Sequence, residues 1–425
     1  MESHYDAFRE EYNVVYGEQY GFFRPEIDRE MAKYRKCGIP KYGFARVQCK
    51  DDDCGHEFIL PFSCKSRGAC PSCMQKNMLE TGAFITEAIA LEVPHRHIVF
   101  TIPKLMRKNF YWHRPALNDL SRMAWDCILS FMCNTLQQDG RPGAVLSIET
   151  AGEYQDGNPH IHAVTTDGIY TPTGSFYFMP RYGELAEKYL RSLWEMAVTK
   201  YVLEKGFVTE ETIEKVSAYR HNGFSVYARR RVEYKKSDER SVAEFEQLAR
   251  YIVKPHFSLE SMEYVPQTGK VLYHGTMNKG KRRNFEIFEA NDFLAAVTSH
   301  IPKYRQRYLN YYGEYSSRAR AKEKEYQEMP REGASVEQRE YRKRWAMLIR
   351  KVYEVDPLKC PKCGKEMHIV EYVREAYAFL YKQWLVSIDA WYVEPPRAPP
   401  EQPVLELTYC AISEDAHYVD EFADA

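Results

Sequence analysis

The chain lacks any long hydrophobic run: none of its 425 residues falls in an uninterrupted apolar stretch near the ~20 needed to span a bilayer. It also lacks an apolar signal core, because Met1–Glu11 is polar and acidic. Together these lead to the expectation of a cytoplasmic protein with no membrane partner. A net charge is missing too, since 59 basic and 60 acidic residues leave −1. Global charge therefore gives no argument for nucleic acid, and any phosphate-binding face has to come from local segregation. No GxxxxGK[ST] loop is present, so the phosphate cradle of an ATP-driven helicase is absent. No internal repeat is found.

What is present is an ordinary globular composition, 44% apolar and 28% charged, in a chain too long for one core. Two or three domains are expected. Periodicity predicts helices over Arg24–Cys37, Gln75–Ile89, Pro115–Thr135, Arg181–Lys205 and Val242–Val253. Strands are predicted over His97–Ile102, Ala144–Thr150 and His160–Thr166, the last two joined by a segment with Gly152, Gly157, Asn158 and Pro159. Tyr264–Ile287 alternates like one or two further strands, and Ala321–Lys351 is charged and helical in pattern. Hairpins rather than crossover units predict an α+β fold with an antiparallel sheet. The Pro-rich stretch at 395–403 predicts an extended linker.

His160-Ile161-His162 lies in a predicted strand, where residues two apart share a face. Two imidazoles then project together, half of a divalent metal site, while Ile161 turns into a core. Tyr251 falls in the last turn of a predicted amphipathic helix that Pro255 ends, on the border of the apolar stripe. With 33 tyrosines in the chain, a half-buried boundary tyrosine is the default for any one of them. Joined to a metal, however, a tyrosine hydroxyl has a chemistry open to it: in-line attack on a phosphodiester and a covalent phosphotyrosine that a 3′-hydroxyl later displaces.

Eleven cysteines in a cytosolic chain point to metal rather than disulfides. Cys49-x4-Cys54 and Cys70-x2-Cys73 are two short-spaced pairs, expected to hold one structural zinc with four thiolates, with Cys64 and His56 as alternates. Cys360 and Cys363 form a further knuckle whose second pair is not evident, with His368 and Cys410 as candidates. Cys37, Cys127, Cys133 and Cys410 are isolated and are expected as small buried apolar groups. Basic clusters at Arg229-Arg230-Arg231, at Lys281-Arg282-Arg283, and at Arg305 and Arg307 beside Tyr311 and Tyr315 are candidate DNA contacts. Cations along phosphates and rings on unpaired bases suit single strands. A basic helix with a tyrosine-lined core face is the competing reading of the last cluster.

Taken together, SCKSRGACPSC at 63–73, GNPHIHAVTTDG at 157–168, LARYIVKP at 248–255, YLNYYGEYSSRARAK at 308–322 and KVYEVDPLKCPKCG at 351–364 carry a resemblance. The chain resembles the rolling-circle transposases of bacterial insertion sequences, within the HUH endonuclease superfamily. The resemblance implies an antiparallel-sheet core with helices on one face, a small zinc-binding domain before it and a helical region after it, divided at about residues 80 and 300. It implies metal ligation by His160 and His162 (with Mg²⁺ or Mn²⁺), nucleophilic attack by Tyr251, and single-stranded DNA and transposon-end hairpins as partners. Some members carry two tyrosines four residues apart; here those positions are Gln247 and Pro255, so the chain resembles the single-tyrosine branch. Glu149 is the first choice for a third metal ligand and Gln247 the second. A replication initiator or relaxase with the same chemistry, and a non-catalytic zinc-dependent DNA-binding protein, are the alternatives.

Overall fold

Alternation of apolar residues in four segments far apart in sequence generates the central sheet. The structure is a computed structural model and describes residues 2–219, 222–228, 230–278, 283–326, 359–388 and 390–391. Helices Tyr5–Val15 and Pro25–Tyr34 lead into strands β1 (Gly43–Cys49) and β2 (Glu57–Pro61). Helix Pro71–Phe84 starts on a proline, whose missing N–H costs nothing at a first turn, and widens into a turn of π-helix at Ile85–Ile89. Then come β3 (His95–Thr101), helices Lys104–Trp112 and Ala116–Leu136, β4 (Gly143–Ala151) and β5 (Gly157–Thr166). A small hairpin, β6 (Gly168–Tyr170) and β7 (Phe176–Phe178), precedes helix Glu184–Glu204.

After β8 (Ser225–Tyr227), β9 (Arg231–Val232) and helix Glu239–Tyr251, a three-stranded meander follows: β10 (Met262–Val265), β11 (Lys270–Asn278) and β12 (Arg283–Glu289). Helix Ala290–Ser299, β13 (Leu309–Gly313), helix Ser317–Tyr326 and β14 (Met367–Arg374) complete the main elements. The central sheet is antiparallel in the order β13-β4-β5-β3-β8, with β9 also on β3. Its register sets Glu149 opposite His160 and Ser147 opposite His162 on one side, and Thr101 and Val99 opposite the same histidines on the other.

The two faces of this sheet are both covered, which corrects the expectation of helices on one face only. Ile98, Phe100, Leu146, Ile148, Ile161 and Ala163 point to helices Ala116–Leu136 and Glu184–Glu204 and form the largest core. Val145 and Val164 point the other way, against Ile85, Ile89, Phe245, Leu248 and Ala249. The physical reason is that β3, β4 and β5 carry apolar residues on both faces, so each face needs a cover. Helices Pro71–Phe84 and Glu239–Tyr251 pack closely there: a Cβ on Gly82 would meet the Cγ of Arg250 at 2.5 Å, so glycine is needed at the crossing.

After residue 300 the described residues include strands as well as helices. Lys303–Tyr315 contains a strand, β13, which extends the central sheet beside β4. Further on, β14 pairs with β1 in a second sheet, β14-β1-β2, so residues 359–388 pack on the N-terminal region. Among the described residues no helix is long and apolar enough to cross a membrane.

Candidate active site and metal centres

Ile161 is fully buried in the large core, and the strand alternation turns His160 and His162 to the opposite face. Nδ1 of His160 donates to the Asn158 carbonyl at 2.6 Å, an assignment that leaves Nε2 with the free lone pair. A backbone carbonyl on the second nitrogen is how metal-ligating histidines are commonly oriented. His162 is 6% exposed and its Nδ1 lies 3.0 Å from Nε2 of His97, with the two rings stacked at 5.3 Å. His97 comes from β3, diagonal to His162, and its backbone N–H donates to the Arg230 carbonyl.

Burial pushes all three imidazoles below their ordinary pKa, His97 to about 4, where nearby Arg230 adds to the effect. They are therefore neutral at pH 7, the form in which histidine binds a metal. Across β4, burial pushes the Glu149 carboxyl up to about 8, with Ser147 Oγ donating to it at 3.2 Å. Neutral imidazoles beside a desolvated carboxyl suit a divalent cation. Among the described residues, only cysteines bring three or more donor atoms within 4.8 Å of one another.

Tyr251 is the last residue of helix Glu239–Tyr251, which Asp238 caps by accepting from the Arg240 N–H at 3.0 Å. Its ring stands edge-on to His97 at 5.5 Å and to His162 at 5.4 Å. Burial raises its hydroxyl pKa, Arg230 opposes this, and Glu149 and Tyr227 add to it, so all three lie within electrostatic reach. Gln247, one turn earlier, is exposed. Sequence reasoning missed His97; the signal was His95-Arg96-His97 on the predicted neighbouring strand, where His97 shares the face of Val99 and Thr101. His95 is fully buried, hydrogen bonded to the Tyr315 hydroxyl.

Among the described residues, eight cysteines fall into two groups of four. Cys37, Cys64, Cys70 and Cys73 form the first, and Cys49, Cys54, Cys360 and Cys363 the second. The expected pairing of Cys49 and Cys54 with Cys70 and Cys73 is thus corrected, because β1 carries Cys49 to the opposite end of the small sheet. Cys37, read as isolated, comes from the turn after helix Pro25–Tyr34 and meets Cys70 and Cys73 at the start of helix Pro71–Phe84. In the first group Sγ–Sγ separations are 3.7 Å (Cys37–Cys73), 3.5 Å (Cys64–Cys73) and 3.7 Å (Cys37–Cys70). A tetrahedron of thiolates about 2.3 Å from zinc has edges of about 3.8 Å. Backbone N–H groups of Cys64 and Ser66 donate to Cys37 and Cys64 sulfurs, as a thiolate site requires. His56 and His368 join neither group, and Cys410 lies outside the described residues.

Residues 1–102 match the family model described as "Transposase zinc-binding domain", and residues 143–324 match "Putative transposase". The first stretch holds all four cysteines of the first group; the second holds His160, His162 and Tyr251. Similarity extends to the "Transposase for insertion sequence element IS801" of Pseudomonas savastanoi pv. phaseolicola. The two are 23% identical over 349 residues, 79% of this chain and 82% of that one. The chain belongs to the IS91/IS801 family of transposases. No solved structure matches it.

The structure sorts the basic segments that are candidate DNA contacts. Arg305 and Arg307 are exposed beside Tyr304, which is 61% exposed with the Arg305 guanidinium 5.1 Å from its ring centre. Arg230 is exposed next to the histidine face, whereas Arg231 is committed to Asp167 and Glu233 at 3.4 and 3.1 Å. Arg283 opens β12, and Arg229, Lys281 and Arg282 lie outside the described residues. Tyr315 is corrected from a DNA-stacking ring to a core residue: it is 1% exposed, and its hydroxyl binds His95 and accepts from the Leu91 N–H at 3.2 Å. Tyr311, in β13, packs partly against the same core, with Arg320 over its ring at 5.6 Å.

Proposed function

We propose that this transposase nicks and rejoins single-stranded DNA at transposon ends, with Tyr251 as nucleophile. The observation that carries the reading is the edge-on packing of Tyr251 against His162 and His97, on the sheet face that also presents His160 and Glu149. His160, His162 and Glu149 are the proposed ligands of a catalytic Mg²⁺ or Mn²⁺, with His97 held against His162 as orienting partner or fourth donor. A metal held by these residues would supply charge neutralisation at a scissile phosphate and favour its in-line orientation.

The Tyr251 oxygen forms a bond to phosphorus as the P–O3′ bond breaks. The departing 3′-oxygen takes a proton, and the 5′-phosphate remains on the tyrosine. Attack by another strand's 3′-hydroxyl reverses the step with no external energy source. Burial keeps the Tyr251 phenol neutral, so its proton must leave as the bond forms; Arg230 is the chain's own cation favouring the anion. Transposon-end hairpins are the proposed substrates, gripped along the Arg305–Arg307 surface and near Arg230. Incubation with a labelled single-stranded end oligonucleotide and Mn²⁺ tests the reading. A denaturation-resistant adduct with wild type and none with EDTA is expected; cleavage in EDTA refutes the metal-dependent chemistry.

A further inference from the structure

The second cysteine group draws its ligands from both ends of the chain. Cys49 closes β1, Cys54 follows in the next turn, and Cys360 and Cys363 form a knuckle just before β14. Across the group Cys49 Sγ lies 3.5 Å from Cys363 Sγ, and Cys54 Sγ lies 3.7 Å from Cys360 Sγ. These are the edges of a thiolate tetrahedron around a zinc-sized ion, and far beyond the roughly 2.05 Å of a disulfide. The two knuckles are built alike. The Cys54 N–H donates to the Asp51 carbonyl at 3.1 Å, and the Gly364 N–H donates to the Cys360 carbonyl at 2.8 Å. Each ends on a left-handed glycine, Gly55 at φ 54° and Gly364 at φ 71°. The Asp51 N–H also donates to Cys49 Sγ at 3.4 Å.

Beneath the group, the fully buried residues of the local core are Val47, Cys49, Cys360 and Met367, so half of that core is ligand. The β1–β14 ladder and the packing of Phe44 with Val373 and Leu385 join the two segments at the far end of the sheet; at this end the two knuckles have few apolar residues of their own, and a metal would fix them. The matched family stretches end at residues 102 and 324, so neither reaches Cys360 or Cys363. We propose that Cys49, Cys54, Cys360 and Cys363 form a second structural zinc site, which fastens residues 359–388 to the N-terminal region across 314 residues of chain. A clamp of this kind acts as a crosslink would, removing freedom from a very long loop.

Native mass spectrometry of the full chain counts the metals directly, and alkylation mapped by peptide mass spectrometry shows which thiols they protect. Wild type is expected to carry two zinc ions, with Cys49, Cys54, Cys360 and Cys363 all protected until a chelator is added. The Cys360→Ser/Cys363→Ser variant should fall from two zinc ions to one and expose Cys49 and Cys54, while Cys37, Cys64, Cys70 and Cys73 stay protected. Conversely, Cys49→Ser/Cys54→Ser should expose Cys363. A single zinc in wild type overturns the proposal without reliance on any variant. So does protection of Cys49 and Cys54 that survives loss of Cys360 and Cys363.

Discussion

A phenol that burial keeps protonated and a carboxyl pushed up to about 8 would both be poor at the roles proposed for them without a cation beside them. That mismatch is what distinguishes the Tyr251 site from an ordinary polar pocket. Tyr251→Phe removes one oxygen and should abolish nicking and adduct formation while leaving single-strand binding within about twofold. Tyr227→Phe, on the exposed neighbouring strand, should retain activity. Proton competition at Glu149 sets a pH dependence. Metal must displace its proton below about pH 8, so Mn²⁺ affinity should rise with pH up to about 8, by at most about tenfold per unit. The three imidazoles, already neutral, add nothing above pH 6.5. Glu149→Gln should flatten that slope, measured by Mn²⁺ titration; an unchanged slope removes Glu149 from the ligand set. At this scale the shared face of His160 and His162 and the place of Tyr251 at a helix end were legible because spacing and helix phase fix the face of a side chain; the roles given to them are the proposal. His97 was not, because strand order is invisible along a single strand.

Among elements, β13 shows how pattern misleads. Lys303–Lys324 reads as alternating cations and tyrosines, yet pairing with β4 decides which rings are free. Leu309–Gly313 ends at Gly313, φ 55°, where a Cβ would strike the Pro142 carbonyl, and the chain then drops Tyr315 into the core beside His95. Tyr315→Ala should therefore cost about 3–5 kcal/mol of stability, read by denaturant unfolding, with single-strand affinity lost only where the protein unfolds. Removing Arg305 and Arg307 together should do the reverse. Stability stays within about 0.5 kcal/mol, as for surface changes, and the slope of log affinity against log salt flattens by about 1.4, or 0.7 per phosphate contact on a single strand. An unchanged slope would move the DNA track elsewhere, Arg230 first. Helix and strand positions were largely legible, since β4, β5 and helix Glu239–Tyr251 lie within a few residues of where periodicity sets them.

Over the whole molecule, the antiparallel α+β class was legible from hairpin chemistry, but the cover on both sheet faces and the pairing of β14 with β1 were not. Both depend on contacts across hundreds of residues, which local pattern does not encode. The same burial gives the fold a pH signature. His95 is pushed down to about 3, His256 to about 4, and His300 well below the usual range, chiefly by burial. In the folded state they stay neutral where the unfolded chain takes up protons. Stability is therefore full above about pH 6.5 and is lost as pH falls toward 4, by at most about 1.4 kcal/mol per group per unit. Glu149 acts in the opposite direction between about pH 4.5 and 8, one group against several. Urea unfolding at pH 7 and pH 5 should show the loss; equal stability would contradict the burial of these rings. The central claim, that Tyr251 is the nucleophile, is tested most directly by mapping the covalent adduct. Wild-type protein is incubated with a single-stranded transposon-end oligonucleotide and Mn²⁺, digested, and its nucleotide-bearing peptide sequenced by mass spectrometry. The modification is expected on Tyr251 and absent from Tyr251→Phe; a nucleotide on any other residue, or an adduct formed by Tyr251→Phe, would contradict it.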